Sequence, residues 1–251
     1  MVDAVIFAPG GYRFVPAVFQ YSAGVAAQPG MAIERVRFLR EPTLSEGFAA
    51  IAAHLTQRGR PLTALCGCEL RSPAPFSEGG FVEFNRHYAQ TLQQWGLING
   101  DINPVARTNV CPVYAPPAVP GMHAFSYTVP MADAPGQTFV VAGGGEAPEG
   151  HANYRDVIVR LGDLSTEGLR DKLRYVVLEM ERRLAVLGCS WRDAASTQAY
   201  TVHDIGALVG PEIVQRGAAR GGLTWHFARP PIVDLEYEMD VRRVAAEWLL
   251  P

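Results

Sequence analysis

The sequence predicts an α+β fold built from two tandem units, each a β-sheet covered by helices on one face. Three observations predict it: period-two stretches interleave with 3.6-residue stretches along the 251 residues, each helical stretch has one apolar face, and the order of elements occurs twice.

Three helices follow from periodicity and caps. The first spans Thr43 to Arg58: Thr43 and Glu46 have capping-box spacing, Phe48, Ile51, Ala52 and Leu55 form the stripe, and Gly59 stops it. The second spans Gly80 to Trp95, with Phe81, Phe84, Tyr88, Leu92 and Trp95 on one side and Gly96 as the stop. The third spans Thr166 to Leu187, buries Leu169, Leu173, Val176, Val177, Met180, Leu184 and Leu187, and ends on Gly188. A helix with one apolar face has to lie on a sheet or on another helix.

Between the helices lie alternating segments: VFQYSAGVAA (18–27), LTALCGCEL (62–70), FVVAGGG (139–145), STQAYTVHD (196–204) and VDLEYEMDV (233–241). In the last, Val233, Leu235, Tyr237, Met239 and Val241 face one way and four acids, Asp234, Glu236, Glu238 and Asp240, face the other. Residues 12–114 give the series strand, strand, helix, strand, helix, strand. Residues 138–241 give it again, with a short helix expected to start at Pro211. The Pro- and Gly-rich stretch from Pro116 to Gly145 separates the two, so the expected domains are 1–130 and 131–251.

Composition narrows the function classes. With 48% apolar and 19% charged residues the chain is globular, and its net charge of -3 with scattered basic residues argues against nucleic acid or an anionic membrane as partner. No apolar run approaches a membrane span and MVDAVIFAPGG lacks the pattern of a signal peptide, so a cytoplasmic protein is expected. Cys66 and Cys68 form a C-x-C pair whose thiols would share a strand face, but no nearby His or second pair completes a zinc set, and no metal is expected. Gly143 to Gly145 are not followed by the lysine of a phosphate loop. His203 and Asp204 are adjacent on a strand and point to opposite faces, against a joint role.

The remaining signal is a guanidinium inside a strand-like run, NPVARTNVCPV, Asn103 to Val113. Together with FVEFNRHY (81–88), FVVAGGGE (139–146), the long helix with its following strand, and ARPPIVDLEYE (228–238), this run resembles the RidA/YjgF enamine and imine deaminases. The order of these motifs covers nearly the whole chain, and the length is similar to the tandem 2-aminomuconate-type deaminases of aromatic catabolism. The resemblance implies a chorismate-mutase-like fold, a homo-oligomer with trimers favoured, no cofactor, and a small carboxylate substrate hydrolysed at a C–N bond to a 2-oxo acid and ammonia.

It also implies residue roles. Arg107 would grip the carboxylate, a planar task suited to guanidinium. Asn85 and Asn109 would assist, Ala142 and Gly143 would make the small-residue backbone contact, and Glu236 would be the acid. The arginine slot of the second half falls near Gly222 or Leu223, and the glutamate slot of the first half near Met122 or His123. Each copy thus retains half a site, and one cleft would combine Arg107, Asn109 and Asn85 of the arginine-bearing copy with Glu236 and Gly143 of the glutamate-bearing one. Stacked rings of like copies would instead set Arg107 against another first copy and make His123 the proton carrier. Glu236 among its neighbouring acids also reads as a solvated face, Asn85 as an ordinary polar residue, and His123 as strand packing. Arg86, His87 and His226 are candidates for a second substrate carboxylate. A chorismatase-like hydrolase and a non-catalytic carboxylate-binding protein are the alternatives.

Overall fold

The computed structural model describes residues 3–134, 136–151 and 153–251. Met1 and Val2, the start of the N-terminal stretch read above, lie outside the described residues.

The helices form where their caps direct. The Thr43 hydroxyl accepts from the Glu46 amide at 3.4 Å while the Glu46 carboxylate accepts from the Thr43 amide at 3.0 Å, and α1 (Leu44–Gln57) follows. α2 (Glu78–Gln94) starts two residues before the expected Gly80, because the Ser77 hydroxyl caps the Gly80 amide at 3.3 Å. α3 (Thr166–Val186) is capped by Ser165 in the same way. Gly59, Gly96 and Gly188 end the three helices with φ of 64°, 70° and 70°, a left-handed turn that side chains resist.

The strands are β1 (Val5–Phe7), β2 (Tyr12–Val15), β3 (Gly24–Ala27), β4 (Met31–Phe38), β5 (Leu65–Arg71), β6 (Ala106–Pro112) and β7 (Gly121–Pro130), then β8 (Phe139–Gly145), β9 (Ser196–Tyr200), β10 (Leu223–His226), β11 (Ala228–Arg229), β12 (Glu238–Arg243) and β13 (Ala246–Leu250). They make two sheets, β11-β6-β5-β7-β4-β13 and β1-β2-β3-β8-β12-β9-β10. The central four strands are equivalent in both: β6-β5-β7-β4 matches β10-β9-β12-β8, with one parallel pair, β5 with β6 and β9 with β10, and antiparallel pairs elsewhere. This is the duplication expected from the order of elements. Each sheet also takes strands from the far side of residue 130: β1 to β3 extend the second sheet, and β11 and β13 extend the first.

Several expected elements are shorter or displaced. Only Gly24–Ala27 of 18–27 and Ser196–Tyr200 of 196–204 are strand. The alternating segment 233–241 is strand only from Glu238, because Asp234 has φ 74° and the chain turns there. The helix expected at Pro211 opens earlier as α4 (Gly206–Leu208) and passes into a π-turn over Val209–Val214, with Pro211 inside it. Pro211 has no amide to continue the α-ladder, and the wider turn carries the chain past it.

Each sheet buries one face under its helices. α1 and α2 cover the first sheet over Phe48, Ile51, Tyr88 and Phe125, and α3 covers the second over Leu173, Val176, Met180 and Met239. The other faces meet each other. Their contact mixes an apolar patch, with Tyr12, Ile33, Ala106 and Val140, and buried charge, in which Arg35 binds Glu69 by two bonds of 2.6 Å. The acid-bearing face of β12 is therefore not solvated: Glu238 and Asp240 are 4% and 3% exposed.

All four cysteines are free and buried. A register shift between Leu65 and Gly67 separates the C-x-C thiols: Cys66 packs between the sheets and Cys68 under the helices, so they do not share a face as the alternation implied. Among the described residues no helix is long and apolar enough to cross a membrane.

Candidate active site

Arg107 is the second residue of β6, and strand parity turns it toward α2. Its guanidinium lies 5.0 Å from the ring centroids of Tyr21 and Tyr88, 5.5 Å from Phe81 and 5.9 Å from Phe84. Nη1 donates to Asn85 Oδ1 at 2.7 Å, which fixes the orientation of the fork. Arg107 is 4% exposed, and among the described residues no carboxylate pairs with it within 4.0 Å. Burial without a counter-ion lowers its pKa. A desolvated cation with aromatic walls and no carboxylate beside it is suited to bind an anion.

The cleft beside it is narrow, with an accessible volume of about 50 Å³, opens to solvent and lies between the two copies. Arg107 and Asn109 line it from β6, Gly143 from β8 and Glu238 from β12. Asn109 Oδ1 accepts from the Ser72 hydroxyl at 3.0 Å, and its Nδ2 is buried without a partner, as is Nδ2 of Asn85. The Gly143 amide donates to Thr108 Oγ1 at 3.0 Å, a bond that staples the two copies together at the site. A Cβ at position 143 would stand 2.1 Å from Glu238 Oε1, so only glycine lets this carboxyl lie against the strand.

Glu238 is one of two acids that line the cleft, with Glu149. Burial raises its pKa well above the ordinary carboxylate value, Asp240 adds to the rise, and Arg183 and Arg107 oppose it. Its position is set by a second buried acid. Glu146, 0% exposed and 3.2 Å from the Lys172 ammonium, accepts from the amides of Glu236 at 2.6 Å and Tyr237 at 3.1 Å. That contact holds the turn before β12 and delivers Glu238, not Glu236, to the cleft.

The structure thus joins Arg107, Asn109 and Gly143 in one cleft, with Asn85 behind Arg107. It does not bring Glu236 there: Glu236 accepts from His203 Nε2 at 2.7 Å and Arg229 Nη1 at 3.2 Å on the outer turn. His123 is also outside, paired with Glu41 at 2.7 Å, and burial lowers its pKa against the opposing pull of that carboxylate. Arg86 and His87 are exposed on α2, and His226 is bonded to Gln198 at 2.7 Å and stacked on Tyr200. His203 pairs with Glu236 while Asp204 caps the Gly206 amide, so these neighbours act apart.

Sequence reasoning missed Tyr21, Glu149, Tyr154 and Arg183, which complete the lining. One signal was present: Arg183 sits at helical spacing from Met180 and Leu187, a charge within an apolar stripe. Among the described residues no group of three His, Cys, Asp or Glu side chains is placed to hold a metal ion.

Comparison with known proteins agrees with this architecture. A crystal structure of chorismatase shares the fold, with a TM-score of 0.50 and 13% identity over 89% of this chain and 77% of that one. The YjgF gene product from E. coli matches 43% of this chain and 80% of its own, at 14% identity and a TM-score of 0.30. By fold, then, the chain is similar to chorismatase. At the level of sequence, the profile of the 2-aminomuconate deaminase CnbZ family matches residues 4–248. A 2-amino-5-chloromuconate deaminase of Comamonas testosteroni is 57% identical over 251 residues, all of both chains. The chain belongs to the 2-aminomuconate deaminase CnbZ family and is a deaminase.

Proposed function

We propose that the cleft between the two copies hydrolyses a small enamine carboxylate of the 2-aminomuconate type to the 2-oxo acid and ammonia, as a step of aromatic catabolism, using side chains alone. The observation that carries this reading is the buried Arg107 guanidinium, which has no carboxylate partner among the described residues and faces the cleft that holds Glu238.

Arg107 grips the carboxylate next to the amino-bearing carbon, with Asn85 holding its fork and the rings keeping water away. Glu238, kept protonated by burial, donates its proton to the enamine carbon and leaves an iminium. The resulting carboxylate takes a proton from water as the oxygen bonds to the iminium carbon. Glu238 then protonates the nitrogen of the tetrahedral adduct. When the C–N bond breaks, ammonia leaves and the hydroxyl proton returns to Glu238, so the site ends as it began. The deaminase is read as a cytoplasmic homotrimer of chains with units 1–130 and 131–251, by resemblance to the RidA/YjgF proteins.

Ammonia release from freshly generated 2-aminomuconate tests the reading. Release well above the spontaneous rate is expected. Binding of the substrate with no accelerated release would make the chain a carboxylate-binding protein and overturn the proposal.

A further inference from the structure

A muconate-type substrate carries a carboxylate at each end, and Arg107 accounts for one. Among the described residues, the only other cation lining the cleft is Arg183, from α3. Arg183 is 1% exposed, and its Nη1 donates to the carbonyls of Ala142 at 3.0 Å and Gly143 at 3.4 Å. Its Nε donates to Glu179 at 2.8 Å and its Nη2 to Glu149 at 2.9 Å. One guanidinium thus holds two carboxylates, one more than its charge requires.

The two acids are not equivalent. Glu179 lies one turn away on the same helix and is also bound by Arg182 at 2.6 and 2.8 Å, so it is fixed. Glu149 comes from the connection between β8 and α3, stands between Pro148 and a glycine with φ 79°, and has Arg183 as its only ion-pair partner among the described residues. It also lines the cleft that holds Arg107 and Glu238. A carboxylate of the chain is therefore held by a guanidinium inside the substrate cleft, on a connecting segment next to a glycine in the left-handed region.

We propose that Arg183 is the residue that holds the distal carboxylate of the substrate, and that Glu149 is an internal stand-in which occupies that place until the substrate displaces it. This rests on the enamine-carboxylate reading above and adds the basis of its selectivity. After displacement Arg183 again holds two carboxylates, Glu179 and the ligand's, so charge balance at the guanidinium is conserved. A third carboxylate on the same guanidinium would be repelled, so Glu149 has to leave. A monocarboxylate has nothing to exchange for Glu149 and leaves it in place. The pair therefore discriminates by charge at the far end of the ligand, a specificity built partly from an internal competitor.

The test compares two unreactive ligands with the same diene geometry, trans,trans-muconate with two carboxylates and sorbate with one, titrated calorimetrically into the purified full-length chain. Glu149→Gln removes the competing charge and is expected to tighten muconate about tenfold while leaving sorbate within about twofold. Arg183→Lys, which keeps the charge but loses the fork, is expected to weaken muconate about tenfold toward the affinity of sorbate. Arg107→Met serves as the control for the site and is expected to remove binding of both. An unchanged muconate-to-sorbate ratio in Glu149→Gln, with both ligands still lost in Arg107→Met, overturns the stand-in and leaves the carboxylate site intact. Weaker muconate binding by Glu149→Gln also overturns it, since Glu149 would then be a ligand contact. Retention of both ligands by Arg107→Met removes the underlying site reading instead. Should Arg183→Lys fail to fold, Glu149→Gln decides alone.

Discussion

The two copies share a strand order, yet they differ where it matters for chemistry. In the first, β6 runs under α2, a helix of 17 residues whose rings sandwich Arg107. In the second, the equivalent β10 follows a three-residue α4 and a six-residue π-turn, and the strand reads Leu-Thr-Trp-His. A desolvated guanidinium needs walls that exclude water and a donor-acceptor partner that fixes it, and only the long aromatic helix with Asn85 supplies both. The acid shows the reverse. β12 enters its sheet at Glu238 against a glycine strand, whereas β7 enters at Gly121 and carries His123 outward to Glu41. On the proposed reading each copy supplies the half of a site that its own packing supports, and the join between copies makes the whole.

The largest effect should come from removing the part unique to the first copy. Arg107→Met is expected to lower kcat/KM by about 10³-fold, the cost of losing a buried charged contact. The thermal midpoint should hold or rise, because the substitution removes a buried charge that lacks a counter-ion in the free chain. A loss of activity that tracks a loss of folding would show Arg107 to be structural.

The acid of the second copy should rank next. Glu238→Gln is expected to reduce kcat by about 10²-fold or more, the usual worth of a positioned acid-base group. Glu236→Gln and His123→Ala should change kcat less than about twofold by the same scale. If His123→Ala is the damaging change, the site lies between like copies and the comparison drawn here is wrong.

A subtler probe leaves the Glu238 carboxyl in place and changes its surroundings. The reaction starts from protonated Glu238, so kcat/KM should fall as pH rises through its raised pKa, well above the usual carboxylate range. Asp240 is the neighbouring acid that helps raise it, after burial itself. Asp240→Asn removes that negative charge and should move the alkaline limb of the profile toward lower pH. A limb that stays in place would assign the titration to another group.

Much of this was legible in the sequence, and the failures have physical causes. Thr43 with Glu46, the three terminal glycines and the aromatic stripe of α2 are local signals, and the structure follows them. Arg107 and Gly143, singled out through the motif resemblance, both line the cleft. The motif resemblance pointed to Glu236 where the structure lines the cleft with Glu238; the two have the same parity, and alternation assigns a face without saying where a strand begins. That start is set by Glu146, from a segment 90 residues away, through two amide bonds. Arg183 and Glu149 arrive from a helix and a loop whose approach to β8 depends on the tertiary fold. β13 (AEWLL) has no alternation, and its parallel pairing with β4 has no local signature.

The smallest expected effect tests whether scaffold and site are separable within a copy. Thr43 caps α1 on the exposed surface of the first copy, away from the cleft, through a reciprocal pair of bonds with Glu46. Thr43→Ala removes the hydroxyl, and with it the bond from the Glu46 amide, while the Thr43 amide can still donate to Glu46; it should cost about 1 kcal/mol of stability, read as a fall of about 2–4 °C in the thermal midpoint for a chain of this size. Ser165→Ala on α3 breaks a single cap bond, from the Gly168 amide, and should cost somewhat less. Both variants should keep the kcat and KM of the parent chain, because α1 and the start of α3 place no atom in the cleft. A change in KM from Thr43→Ala would mean that the frame of the first copy is coupled to Arg107, and that the division of labour between copies extends beyond the residues at their join.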